Sequence, residues 1–448
     1  MTERAKADKV PLPAALAPSG VAGRDMSPTA THRAIHAVWR IESPRLIAGL
    51  ARLVRDVGVA EELAQDALVT ALERWPESGV PDNPGAWLMA TAKRRAIDTL
   101  RRRKLLERKH EELGVELTEL EQRTPDLDAA LDDDVGDDLL RLVFTACHPL
   151  LSTEARVALT LRLLGGLTTE EIARAFLTPE STLAQRIVRA KRTLAEASVP
   201  FEVPRGPELA ERLGSVLEVI YLIFNEGYSA TSGDDWMRPA LCEEALRLGR
   251  ILAGLTPAEP EVHGLVALME IQASRSAARV GPSGEPILLL DQNRARWDWL
   301  LVGRGLDALE RAEALGGGGG FYALQAAIAA CHGRARAADE TDWGRIAALY
   351  EALALRAPSP VVELNRAVAV SMAYGPAAGL ALVDALAGVP QLASYHLLPS
   401  VRGDLLLKLG RHAEARAELE RAASLTRNER EKRLLLARAE ACGRPSPA

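Results

Sequence analysis

Two stretches of the chain carry side chains suited to gripping nucleic acid. In the first, Lys93, Arg94, Arg95, Arg101, Arg102, Arg103 and Lys104 crowd into a single short segment. In the second, Thr182, Gln185, Arg186, Arg189 and Lys191 recur at helical spacing. Cations of this kind neutralise phosphates and release condensed counterions. In a major groove Gln pairs bidentately with adenine and Arg with guanine, at about 1–3 kcal/mol of discrimination per good pair. Between the two stretches the charge reverses: from Glu111 to Asp138 there are 12 acidic residues and only Arg123 of opposite sign. The net charge of -6 therefore averages opposing local fields and does not exclude a nucleic-acid partner.

The second stretch has the elements needed to position it. From Leu167 to Leu194 the sequence has helix-turn-helix spacing, in which Ile172, Ala173, Leu183 and Ile187 pack two helices together. Thr168 with Glu171 forms a capping box, and Thr178 and Pro179 cap and start the second helix. Thr182, Gln185, Arg186 and Arg189 then share the outward face. The alternative for an isolated segment of this kind is a solvated charged helix in an ordinary bundle. An Arg-rich helix end likewise complements a helix dipole, so the first stretch depends on its surroundings. Apolar residues from Thr31 to Lys104 recur at helical spacing and read as about four helices, one ending at Trp75 and Pro76 before a loop from Glu77 to Asn83. Trp75 and Trp87 occupy apolar helical positions, where core packing outweighs stacking on bases.

A chain of 448 residues is long enough for several domains. Abundant Ala, Leu and Arg with few aromatics predict an all-α fold. Its expected divisions are a disordered tail over 1–30, a helical bundle over 31–108, an acidic flexible linker over 109–138, a helix-turn-helix bundle over 139–198, a helical extension over 199–310 and helical repeats over 311–448. The repeats are suggested by Leu405 to Ala422, where small residues at Ala413, Ala417 and Ala422 follow a Leu-Gly pair as in tetratricopeptide units. Cys147, Cys242, Cys331 and Cys442 are too scattered for a disulfide framework or a zinc site. No metal or cofactor is expected. No phosphate-binding loop, G-x-S-x-G or H-E-x-x-H is present, and Cys147 beside His148 is not placed as a nucleophile-base dyad, so the chain is not read as an enzyme. With no signal peptide or membrane-span pattern, a cytoplasmic location is expected and no membrane partner.

The context of the basic stretches resembles a known family. Ala60, Glu61, Glu62, Leu63, Gln65 and Asp66, followed by Asn83, Pro84, Trp87 and Leu88 and then by Arg95, Ala96, Ile97, Asp98, Arg101 and Arg102, resemble region 2 of extracytoplasmic-function (ECF) RNA polymerase sigma factors of the sigma-70 superfamily. Thr182 to Arg192 resembles the end of their region 4. Tyr221 to Tyr228, Asp342 with Trp343, and Leu364 to Ala369 resemble phrases of the subgroup with a long C-terminal, tetratricopeptide-like helical extension. Two departures are Leu177, where region 4 turns commonly have Gly, and Ala64, where a larger apolar residue is common.

The resemblance implies that Glu61, Glu62, Gln65 and Asp66 dock on core RNA polymerase, whose beta-prime and beta subunits are the partners. It implies that Asp82, Asn83, Arg94, Arg95, Arg101 and Arg102 engage the -10 element of promoter DNA and assist its melting. Thr182, Gln185, Arg186, Arg189 and Lys191 would read the -35 element. The extension would regulate activity, in cis or through a regulatory protein on its repeats. The competing readings are a stand-alone helix-turn-helix regulator with a protein-binding repeat domain, and a repeat scaffold with incidental basic helices. In the extension, Asn225, Glu226, Tyr228, Trp236, Arg238, Asp291, Arg294 and Trp297 are candidates to line a ligand pocket or to hold helix interfaces.

Overall fold

The computed structural model describes residues 28–110, 135–176, 178–229, 237–282 and 284–442. The expected N-terminal tail up to residue 27, most of the expected acidic linker, Leu177 and Trp236 lie outside the described residues. Among the described residues the regular structure is α-helical apart from short 3-10 turns and one isolated bridge between Val280 and Pro286.

The first module consists of α1 (Pro28–Val54), α2 (Val57–Ser78) and α3 (Pro84–His110). It has three helices where the sequence predicts about four: α1 runs unbroken through Pro44, and α2 passes the Pro76 at which a helix is expected to end and stops at Ser78. A proline removes one amide donor, and burial of the surrounding turns outweighs that loss: Ser43, Leu46 and Ile47 flank Pro44 inside the protein. The end of α2 still closes, since the Gly79 amide donates to the Trp75 carbonyl at 3.0 Å with Gly79 at φ 80°. Asp56 caps the start of α2 by accepting from the amides of Gly58 and Val59. Leu46 and Leu50 of α1, Leu63, Ala67 and Ala71 of α2, and Leu88, Ala92 and Ala96 of α3 recur at three- and four-residue spacing and form the core. Trp75 is 1% exposed and meets Trp87 edge to face at 5.3 Å, so Trp75 belongs to the core.

The second module holds α4 (Val135–Ala146), α5 (Thr153–Leu163), α6 (Thr169–Ala175) and α7 (Glu180–Glu196). The Thr168 and Glu171 capping box forms, and Ile172, Ala173, Leu183 and Ile187 are buried between α6 and α7. Thr178 does not cap α7: its hydroxyl donates to the Phe176 carbonyl at 3.2 Å, and Pro179 is the N-cap residue of α7, with no side-chain cap. Helix α5 buries Ala155, Val157, Ala158, Leu159, Thr160, Leu161 and Leu163, which together cover most of its circumference. It packs against α1, α4, α6, α7 and the first helix of the extension.

The extension comprises α8 (Pro207–Tyr228), α9 (Pro239–Leu255), α10 (Pro260–Ala273), α11 (Trp299–Ala314), α12 (Phe321–Arg334), α13 (Trp343–Arg356), α14 (Pro360–Tyr374), α15 (Pro376–Leu386), α16 (Leu397–Lys408), α17 (His412–Leu425) and α18 (Glu429–Ala441). Consecutive helices pack on one another, and α10 fills the space among α8, α9, α11 and α12. One hydrophobic core runs without interruption from Ile35 to Ala330, and a second joins Leu364 to Cys442. The two modules and the start of the extension are therefore packed together and not merely strung on a linker. Helix α8 grips the second module: Arg212 donates to the Phe144 carbonyl at 2.9 Å, Ser215 to the Cys147 carbonyl at 2.7 Å, and Arg156 pairs with Glu218 at 3.1 Å.

Close approach of α8 and α9 depends on Gly227. A Cβ there would stand 2.6 Å from the Cys242 amide nitrogen and 2.9 Å from the Leu241 Cβ, whereas one at Gly214 in the same helix meets nothing within 4 Å. Gly227→Ala is expected to lower the urea midpoint, at a cost of about 1–3 kcal/mol for forcing the helices apart. Gly214→Ala is expected to leave it unchanged or raise it by up to about 1 kcal/mol, because Ala loses less backbone entropy in a helix. Equal effects at the two positions would contradict this packing.

Candidate nucleic-acid and partner interfaces

The four acidic and amide residues of α2 do not share one environment. Glu62 and Asp66 are exposed, Gln65 is half-buried, and Glu61 is only 2% exposed. One turn separates Glu61 from Gln65, whose amide donates to the Glu61 carboxylate at 2.5 Å. The rest of the Glu61 shell comes from the second module. Arg162 Nε of α5 donates to it at 2.6 Å, and the Lys191 ammonium of α7 pairs with its other oxygen. Arg162 is fixed in turn by donating from Nη1 to the Leu167 carbonyl at 3.0 Å. Glu61 is thus separated from the exposed face that Glu62 and Asp66 present.

Arginines on α3 form an exposed cationic face. Arg94 and Arg101, and likewise Arg95 and Arg102, lie seven residues apart and so fall on the same side of the helix, and all four are exposed. Arg95 is engaged by the first module itself, pairing with Asp66 at 2.9 Å and donating to the Thr70 hydroxyl at 3.0 Å. The preceding loop carries Asp82 and Asn83, both exposed. Asn83 caps α3: its side chain accepts from the Ala86 amide at 3.0 Å and its carbonyl from the Trp87 amide at 3.2 Å. That cap sets where the arginine-bearing helix begins.

On α7, Thr182, Gln185 and Arg189 are exposed, at i, i+3 and i+7. Arg186 is half-buried beside the start of α5. There the Glu154 carboxyl is held below the usual carboxylate range, first by its own backbone amide, then by Ser152, and less strongly by Arg186 and Arg156. Lys191, expected to face DNA, is half-buried and faces Glu61 instead. Val188 is 62% exposed one turn beyond Gln185. An apolar side chain there has the character that contacts a thymine methyl in a major groove; sequence reading missed it because it attended only to polar groups. Arg162 was missed as well, and nothing local marks it, because its partner lies 101 residues earlier. Cys147 is fully buried and hydrogen-bonded to Thr160 at 3.3 Å, with its thiol pushed up by burial to about 11.

No helix among the described residues is long and apolar enough to cross a membrane. Residues 39–105 match the sigma-70 region 2 family, residues 141–194 match sigma-70 region 4, and residues 212–313 match a family of unknown function, DUF6596. These spans fall on the first module, the second module and the start of the extension. An uncharacterised protein of Rhizobium meliloti is 43% identical over 387 residues, covering 86% of this chain and 90% of that protein. The ECF RNA polymerase sigma factor SigK of Mycobacterium ulcerans is 30% identical over 34% of this chain and 78% of its own length. SigI of Mycobacterium tuberculosis, named a probable ECF RNA polymerase sigma factor, is 27% identical over 38% of this chain and 58% of its own length. No solved structure matches the chain. With regions 2 and 4 both present in that order and their folds in place, the chain belongs to the ECF family of RNA polymerase sigma factors, the proteins that act in transcription initiation.

Proposed function

We propose that this sigma factor brings core RNA polymerase to promoters by engaging the -10 element with α3 and the loop before it and the -35 element with α7. The observation that supports this most is the pair of exposed polar faces on separate modules, Arg94, Arg101 and Arg102 on one and Thr182, Gln185 and Arg189 on the other. The first is a row of cations without a base-reading partner of fixed geometry, suited to phosphates of an opening strand. The second carries Gln185, Val188 and Arg189 together, suited to base edges of intact duplex. Glu62 and Asp66 supply an acidic surface for a basic site on the beta-prime subunit.

The Glu61 junction adds a condition to this reading. Glu61 belongs to the proposed polymerase surface and Lys191 to the proposed -35 surface, and the two are paired with each other. Neither engages its partner until the modules part, so the packed arrangement is a stored form that opens on engagement. The extension stabilises it by holding the second module from the other side through Arg212 and Ser215.

Glu61→Gln leaves Arg162 and Lys191 without their carboxylate. The expected cost is roughly 1–3 kcal/mol, below that of a fully buried pair because both cations can reach water. A larger radius of gyration in X-ray scattering and a lower urea midpoint are the expected readouts; an unchanged profile would show that the junction does not hold the modules. In a reconstituted reaction, Glu62→Lys is expected to weaken core-polymerase binding while Arg101→Ala lowers promoter affinity and its salt slope by about one. Duplex binding at full affinity without core polymerase, unaffected by Glu62→Lys, would instead support a stand-alone regulator.

A further inference from the structure

Between α8, α10, α12 and the α13 to α14 connection the extension encloses a cavity of about 640 Å3, within the range of small-molecule sites. Its apolar wall is largely aromatic, with Phe224, Tyr228, Phe321 and Tyr350 joined by Leu353 and Val362. Phe224 and Tyr228 stack on each other at 5.6 Å, and the Arg279 guanidinium lies over the Tyr228 ring at 3.5 Å. Amide side chains converge from four helices: Asn225, Gln272, Gln325 and Asn365. Tyr221 donates to Gln325 at 3.1 Å, while the Gln272 Oε1 is shut off from solvent with no hydrogen-bond partner.

The charge of the lining is one-sided. Arg275 is the only charged residue among those that line the cavity, and no acidic residue lines it among the described residues. The Arg275 Nε donates to the Tyr228 hydroxyl at 3.1 Å, and its guanidinium stands 5.7 Å from the centre of the Trp297 ring. No carboxylate among the described residues pairs with it, in contrast to Arg250, which pairs with Glu270 at 2.7 Å. His332, also on the cavity wall, is held down to about 4, first by burial and then by the charges of Arg275 and Arg294, and so is neutral near pH 7. The Tyr228 hydroxyl, which accepts from both Nε and Nη2, restores only part of the hydration this half-buried guanidinium has lost, and a carboxylate is the group that matches its charge and remaining donors.

We propose that this cavity binds a small organic anion, a carboxylate on an aromatic body, with Arg275 holding the carboxylate and the apolar wall of Phe321, Tyr350, Leu353 and Val362 packing on the ring. The convergent amides take its remaining polar atoms. Not all of the extension's polar and aromatic residues belong to this site. Asn225 and Tyr228 line it, whereas Arg238 pairs with Glu226, and Arg294 is buried donating to the carbonyls of His332 and Ala335 at 2.7 Å, so these hold interfaces. The site has a structural route to the rest of the molecule. The C-terminal half of α8 lines the cavity while Arg212 and Ser215 in its N-terminal half grip the second module.

The test titrates the full chain with 1-anilinonaphthalene-8-sulfonate, an aromatic anion that fluoresces when withdrawn from water. Saturable one-to-one binding is expected, displaced by 1-naphthoate and not by the neutral 1-naphthamide. Arg275→Gln is expected to weaken the probe roughly ten-fold or more, as loss of a charge-assisted pair does. Asn365→Trp fills the cavity from an exposed position on α14 and is expected to abolish binding with the helical circular dichroism unchanged. Absence of binding by the unaltered chain, equal displacement by the acid and the amide, or binding that survives Asn365→Trp would each overturn the proposal.

Discussion

Glu61 is the one member of the acidic α2 cluster withdrawn from water, and what it meets there is Arg162 and Lys191 of the other DNA-facing module. Burying a carboxylate is costly unless its charge and lone pairs are satisfied. Here they are satisfied only when α2, α5 and α7 come together, so the relative placement of regions 2 and 4 is tied to one ionic cluster. Around it the apolar core of region 2 continues into α4 and α5 and on into the extension, leaving α5 covered over most of its circumference.

An ionic junction of this kind specifies a geometry more than it adds stability, because desolvation offsets much of the Coulomb attraction. In the proposed function, that suits a contact exchanged on engagement of polymerase and promoter. Arg162 and Lys191 retain partial exposure and can turn to water, or in the case of Lys191 to phosphate, at small cost. Glu61 in turn can meet basic groups of a polymerase. The apolar contacts at the same junction, between α1 and α4 above all, set how much must be given up when the modules separate. The extension enters this balance through α8, which joins region 4 to the cavity between α8 and α14.

Much of this was legible in the sequence wherever cause and effect are close along the chain. The helix-turn-helix followed from Ile172, Leu183 and Ile187 and from the Thr168 and Glu171 capping box, all decided within a few turns. The basic character of α3 was apparent from its run of arginines, but their grouping on one exposed side came from the structure. Sequence patterning predicts about four helices in region 2 where there are three, and it ends one at Trp75 and Pro76, whereas burial carries α2 two residues further to Ser78. The Glu61 junction was not legible: Glu61 reads as one of four equivalent surface groups, and its partners lie 101 and 130 residues away in the sequence. The cavity was half legible, since residues of the right chemistry were apparent but not which of them converge.

The proposed parting of regions 2 and 4, stored against each other in the free protein, accompanies engagement of polymerase and promoter. It is tested most directly by spin labels at Ser78→Cys and Ser181→Cys, both exposed, with the distance between them measured by pulsed electron paramagnetic resonance. In the free protein a single narrow distance distribution is expected. Addition of core polymerase with promoter DNA is expected to replace it with one centred at a longer distance. A distance that stays the same in the polymerase complex would contradict the account.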